Sequence, residues 1–243
     1  MSFEYTIEKI GKDIKICCGN DHTFGTDAII LFDFAGVRKK DKVLDIGTGC
    51  GIIGVLAAEK TDAQVFGIDI QEKAIEQAKI SASLSHLENR FIPVLKDIKE
   101  TDGSFYPDGF TLILCNPPYF KPDDGKISEN EAHAIARQEV KCTIEDIVES
   151  SYKVLCDKGR LCLCHKPERL IDVVSVMRKF KIEPKRLQFV KKSREAEPWL
   201  ILIEGRKNGG AGLRVLPDLI ITAGLEQTDT YNRYHNEVKK NEG

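Results

Sequence analysis

The chain reads as an α/β protein: a mostly parallel sheet with helices on both faces, ending in an antiparallel hairpin. Three observations predict this. Short apolar runs alternate with segments of helical period from Val43 to Lys179, the pattern of right-handed βαβ units on a parallel sheet. The first of these runs, Val43 to Ile46, passes straight into a glycine-rich turn, Gly47 to Gly51. Later, Lys185 to Lys191 and Leu200 to Gly205 are strand-like runs about eight residues apart. No helix fits between them, so they must pair antiparallel.

In chain order, two short strands are expected around Tyr5 to Ile10 and Ile14 to Cys18. Thr26 and Asp27 are helix-capping types, and a helix is expected from Ala28 to about Gly36. Val43 to Ile46 is a buried-type strand, followed by a helix from Ile52 to Lys60. Val65 to Ile68 is the next strand. Gln71 to Leu87 has helical period and strong helix formers. Phe91 to Leu95, Phe110 to Cys115 and Arg160 to Cys164 read as three further strands. Thr143 caps a helix through about Leu155, and another helix runs to Lys179. With the closing hairpin this makes a seven-stranded sheet. Beyond the Gly-rich stretch after Lys207, Leu213 to Ile221 is expected to add one more strand.

Composition narrows the class. The 243 residues are 42% hydrophobic and 30% charged, which excludes a disordered chain and allows one large domain. The longest apolar runs, Ala28 to Phe32 and Trp199 to Ile203, are five residues, against the roughly 20 that a membrane helix needs. Glu4 and Glu8 near the N-terminus, with no apolar stretch, argue against a secretory leader. Eight cysteines form no C-x-x-C pair and no Cys/His cluster. They read as small hydrophobes of a reduced, cytoplasmic protein without a structural metal.

The net charge of −2 predicts no polyanion partner for the chain as a whole. The stretch Arg178 to Arg194 departs from that balance, with eight basic residues and one acid, Glu183. It reads either as a solvated face or as a phosphate-contacting one.

The turn Asp45-Ile46-Gly47-Thr48-Gly49-Cys50-Gly51 joins a strand to a helix, where glycines allow a tight turn and close approach of a ligand. Asp69, at the end of the next strand, can accept both ribose hydroxyls of a nucleoside; the alternative is a helix cap. Asp45, at the carboxyl end of its strand, suits a ligand's ammonium group. No Lys or Arg lies in the turn to neutralise phosphates, so an aminoacyl nucleoside fits better than a dinucleotide. Asp97, after the third of these strands, can accept from an adenine amino group or be an ordinary loop residue.

The strand Phe110 to Cys115 runs into Asn116-Pro117-Pro118-Tyr119. Two prolines make this turn rigid, at the sheet edge where α/β ligands bind. The Asn116 amide oxygen and the Pro117 carbonyl can both accept from one planar NH2 group, and Tyr119 offers a face to a flat ring.

The glycine turn with Asp69 resembles the cofactor motif of class I S-adenosylmethionine-dependent methyltransferases, a Rossmann-like fold. The Asn-Pro-Pro-Tyr turn resembles the catalytic motif of their amino-group methylating members. Phe24 to Ala28 (FGTDA) and Ala136 to Glu139 (ARQE) resemble the bacterial family that methylates adenine N6 beside the anticodon of a valine tRNA. The resemblance runs from about Phe24 to Glu204. It implies S-adenosylmethionine as cofactor, held by Thr26, Asp45, Gly47, Thr48, Gly49, Gly51, Asp69, Ile70, Asp97 and Asn116. Asn116, Pro117, Pro118 and Tyr119 would carry the reaction. Arg137, Lys185, Arg186, Lys191 and Lys192 would contact RNA, with His133 one turn before Arg137. Residues 1–24 would form N-terminal strands, 25–206 a catalytic core and 207–243 an extension of one domain. A role for Tyr231 or Tyr234 in RNA binding is not implied.

Two other readings remain. Enzymes that methylate a glutamine of peptide release factors share the Asn-Pro-Pro-Tyr turn, but they usually carry a further substrate domain. A nucleotide-binding module without catalysis would have no need of that turn.

Overall fold

The computed structural model of the chain describes residues 5–10, 13–19, 23–117 and 142–221. β3 (Val43–Ile46), β4 (Val65–Asp69), β5 (Phe91–Leu95), β6 (Phe110–Cys115), β7 (Leu155–His165), β8 (Ile182–Lys191) and β9 (Pro198–Lys207) form the body of one sheet. Their order across it is β8-β9-β7-β6-β3-β4-β5. β9 runs antiparallel to both its neighbours and every other pairing among the seven is parallel. The seven expected strands are therefore present. The extra strand expected over Leu213 to Ile221 is split into β10 (Arg214–Val215) and β11 (Leu219–Ile220), which both pair with β8 and bring the sheet to nine strands. Pro217 lies between them and has no N–H for the ladder; its carbonyl instead accepts from Gln188 Nε2 at 2.9 Å.

Period-two alternation in the strands builds two cores. Leu112 and Leu114 face one way, with α1 (Thr26–Ala35), α2 (Ile52–Lys60) and α3 (Glu72–Leu84). Ile113 and Cys115 face the other, with α4 (Ile144–Val154) and α5 (Leu170–Lys179). Thr143 caps α4 as expected: its hydroxyl accepts from Asp146 N at 3.1 Å and the Asp146 carboxylate accepts from Thr143 N at 2.8 Å, a reciprocal box contributing about 1 kcal/mol. α3 stops at Leu84, before the expected Leu87, where His86 at φ 57° turns the chain out of the helix.

β1 (Tyr5–Ile10) and β2 (Ile14–Gly19) form a separate hairpin, whose Ile10, Ile14, Ile16 and Cys18 join the α1–α3 core. Ser81 on α3 binds this hairpin to the glycine turn. Its hydroxyl accepts from Cys17 N at 2.9 Å and donates to Cys50 O at 2.8 Å.

A buried ion network fixes the far end of α1. Arg160 donates to Asp41 at 2.8 Å and to the Ala35 carbonyl at 2.7 Å, and lies 3.5 Å from Glu204. Arg186 donates to Glu204 at 2.6 Å and to the Phe34 carbonyl at 2.9 Å, stacking on the Phe34 ring. These guanidinium groups satisfy the last carbonyls of α1, which have no partner within the helix. No helix among the described residues is long and apolar enough to cross a membrane.

Candidate active site

β3 and β6 lie side by side with Ile46 opposite Cys115. The turn after β3 and the residues after β6 therefore emerge together at the carboxyl end of the sheet. The strand order reverses at this pair, which is where α/β folds bind ligands. A cavity of about 810 Å3 opens there, inside the roughly 300–1,000 Å3 typical of small-molecule sites.

The glycine turn forms its floor. Gly47 and Gly49 have φ of 69° and 53°, and beyond the adjoining residues no atom lies within 4 Å of where a Cβ would stand on either. A left-handed backbone with open space beside it is a cradle for a ligand. Gly49 N donates to Asp69 Oδ2 at 3.1 Å and Gln71 N to Asp69 Oδ1 at 3.0 Å. The N-cap of α3 is Gln71 rather than Asp69. Asp69 lines the cavity, and a carboxylate with about four acceptor sites keeps capacity for ribose hydroxyls beyond these two bonds. Ile70 and Asp97 line the same wall. Asp97 also caps a single 3-10 turn, accepting from Lys99 N at 2.9 Å.

Three residues expected to hold the cofactor, Asp45, Gly51 and Thr26, do not line the cavity. Asp45 is 1% exposed and does not line the cavity. Thr48 donates to its Oδ2 at 2.6 Å, so it braces the turn from beneath. Burial pushes its carboxyl up to about 7, against the lowering effect of hydrogen bonds from Thr48 and Gly54. Gly51 is a packing glycine: a Cβ there would stand 2.9 Å from the Phe91 ring and 3.0 Å from Ala78. At Gly54 a Cβ would meet the same ring at 2.1 Å, which is the close helix–strand approach such a glycine permits. Thr26 is the first residue of α1, not a residue ahead of it, and the N-cap is Gly25. Its neighbours Phe24, Gly25, Asp27 and Ala28 line the cavity and Thr26 does not.

Asn116 and Pro117 line the same cavity as the turn. Asn116 Oδ1 accepts from the Cys164 thiol, with Sγ at 3.0 Å. Pro118, Tyr119, His133, Arg137, Tyr231 and Tyr234 lie outside the described residues. The sequence reading missed Lys96, Cys142, His165 and Arg169 on the cavity wall. His165 ends β7 and Arg169 follows it, and a position at or just past a parallel strand's carboxyl end was the signal that could have found them. His165 Nδ1 accepts from Lys166 N at 2.8 Å, and Arg169 Nε sits 2.7 Å from Asp172. Cys142 is half-buried, and burial raises its thiol to about 11.

The basic segment is not one face. β8 runs parallel to β7, so Lys191, Lys192 and Arg194 stand at the cavity's end of the sheet, while Arg178, Lys179 and Lys181 precede β8 at the opposite end. Of the residues expected to touch RNA, Arg186 belongs to the Glu204 network, Lys185 Nζ donates to the carbonyls after Gly209, and Lys191 pairs with Asp218 at 2.9 Å. Lys192 is exposed at the cavity end.

A family profile described as a methyltransferase domain matches residues 37–197. The tRNA1(Val) (adenine(37)-N6)-methyltransferase of Parabacteroides distasonis is 30% identical over 184 residues, covering 74% of this chain and 75% of that protein. The chain belongs to that methyltransferase family. This methyltransferase is also 28% identical over 188 residues to the enzyme of the same name from Shewanella woodyi, covering 74% and 76% of the two chains. A predicted O-methyltransferase from Agrobacterium tumefaciens shares its fold, with a TM-score of 0.65 at 17% identity over 86% of this chain and 95% of that one. Its cofactor is S-adenosylmethionine.

Proposed function

We propose that this methyltransferase methylates the exocyclic N6 amino group of an adenine in a tRNA anticodon loop. One observation carries the chemistry: Asn116 and Pro117 share a cavity with the glycine turn and Asp69. Acceptors suited to a planar amine therefore share one cavity with a cradle suited to an aminoacyl nucleoside. The relatives' names support tRNA as the substrate class.

The open backbone at Gly47 and Gly49 fits S-adenosylmethionine, and Asp69 would hold its ribose, with Ile70 and Asp97 along the nucleoside. When bound, the cofactor supplies an activated methyl group on a sulfonium. What the chain contributes is alignment and placement of charge. Asn116 Oδ1 and the Pro117 carbonyl accept the two N–H bonds of the amine, which turns the nitrogen lone pair toward the cofactor side. An aromatic amine is a poor nucleophile because its lone pair is delocalised. Partial positive charge that grows on the nitrogen is stabilised by two acceptors already in place. Tyr119 would offer its ring face to the base. No strong base is required, since the proton can leave afterward. An anticodon-loop base is single-stranded, so drawing it into the cavity costs less than from a duplex.

The test is radiolabelled S-adenosylmethionine with bulk tRNA from a strain lacking this gene, beside purified release factors. Label recovered after digestion as N6-methyladenosine is expected; label only in protein would move the substrate to a glutamine side chain. Asn116→Ala should lower turnover by at least about 100-fold, the usual size for one lost transition-state contact, while calorimetric cofactor affinity changes far less. Wild-type turnover in that variant would sink the mechanism.

A further inference from the structure

We infer that Cys164 is a positioning residue that holds the Asn116 amide with its oxygen toward the amine to be methylated. The inference deepens the proposed function and rests on it.

The placement follows from sheet register. β6 and β7 are parallel neighbours with Cys115 opposite Leu163, so the next residues, Asn116 and Cys164, stand side by side on the same face. Cys164 is fully buried among apolar residues of the α1–α3 core. Its Sγ lies 3.0 Å from Asn116 Oδ1, and an amide oxygen cannot donate, so the thiol does. Cys162, two residues earlier on the same face, shows what the other end of this strip does: its thiol lies 3.8 Å from Glu204 in the ion network, away from the cavity. A thiol is a weak donor, and this one is aimed at the amide oxygen.

The consequence lies in the two ends of the amide. An asparagine side chain presents an acceptor at one end and a donor at the other, and rotation about its last bond exchanges them. With the oxygen toward the cavity, the substrate amine finds an acceptor. With the NH2 there, donor meets donor and the amine cannot dock. The Cys164 hydrogen occupies one lone pair of Oδ1 and leaves the second for the substrate. A flipped amide would have to donate to sulfur, a weak acceptor. The thiol thus biases the amide toward the productive arrangement without touching substrate.

Three variants separate this from packing. Cys164→Ala and Cys164→Val remove the donor, the second while filling the space; Cys164→Ser keeps a donor in a less congenial apolar setting. Turnover in Ala and Val should fall about three- to tenfold, the scale of one net hydrogen bond, with KM for cofactor unchanged. Ser should return to within about twofold of wild type although it unfolds at lower urea. Serine no faster than both Ala and Val, or Val as fast as wild type, overturns the proposal. An infrared readout needs no substrate. The S–H stretch assigned by the Cys164→Ala difference spectrum should be shifted to lower frequency, and should return toward the free-thiol position in Asn116→Ala. A free-thiol frequency in the wild type also overturns it. If tRNA proves not to be the substrate, the infrared arm still stands, and turnover is read on whichever amine the wild type methylates.

Discussion

Asp69 does two jobs with one carboxylate: it braces the glycine turn through Gly49 N–H and faces the cavity. Asp69→Ala should weaken S-adenosylmethionine by about 1.5–3 kcal/mol, the scale for hydrogen bonds to a charged group, measured by calorimetry; unchanged affinity would remove it from the cofactor site. Asp45 offers a test in pH instead. Its folded-state carboxyl is held near 7 by burial, against about 3.9 in an unfolded chain. The folded protein therefore binds this proton more tightly. The resulting stability is complete below about pH 4, is lost as pH rises to about 7, and is flat above, with a ceiling of roughly 4 kcal/mol. Asp45→Asn lacks that dependence and can still accept from Thr48. The stability of the variant relative to wild type, from urea unfolding, should rise between pH 5 and about 7 and then level; a constant difference would mean that the carboxyl is ionised throughout. These residues also show what was legible in the chain. Asn116 and the glycines announce themselves by local turn chemistry. Asp45 looked like a ligand-facing residue because its place at the strand end is right, but its burial under the turn depends on Thr48 and Gly54 folding over it.

The elements were legible wherever one segment carried its own signal, as in β3, α2 and the capping box of α4. They were less so where a distant partner decides. α1 looked self-capped by Thr26 and Asp27, yet it starts at Thr26, and its direction is set from the other end. Arg160 and Arg186 hold its last carbonyls, with Asp41 and Glu204 closing the network. Those partners lie far apart in sequence, so no local pattern reveals them. At its other end, Phe24, Gly25, Asp27 and Ala28 reach the cavity wall. Arg160→Leu leaves Asp41 and Glu204 without this buried counter-charge and should cost about 3–5 kcal/mol, read from urea unfolding. A loss under about 1 kcal/mol would mean that the acids are satisfied elsewhere.

Across the whole molecule, the seventeen-residue basic stretch divides between the two ends of the sheet, and several of its cations are paired internally. Any phosphate-contacting surface for the proposed tRNA then belongs to the cavity end, where Arg169, Lys192 and Arg194 stand. Lys192→Glu with Arg194→Glu should weaken all tRNAs alike and reduce the log–log salt slope by roughly 1–2 units. Lys179→Glu with Lys181→Glu, at the other end, should leave the slope unchanged. Equal effects from both pairs in filter binding would indicate non-specific attraction. Charge composition alone could not separate these groups, because the split depends on which way β8 runs.

Seven of the eight thiols are either buried or distant from the cavity wall, or both: Cys17, Cys18, Cys50, Cys115, Cys162 and Cys164 are buried, and Cys156 is half-buried off the wall. Cys142 is the half-buried one on that wall. The protein thus carries a built-in chemical footprint of its own occupancy. Alkylation followed by peptide mass spectrometry should report a filled cavity as protection at Cys142, with Cys156 as the internal reference. Ligands can be ranked this way before any methyl acceptor is in the tube.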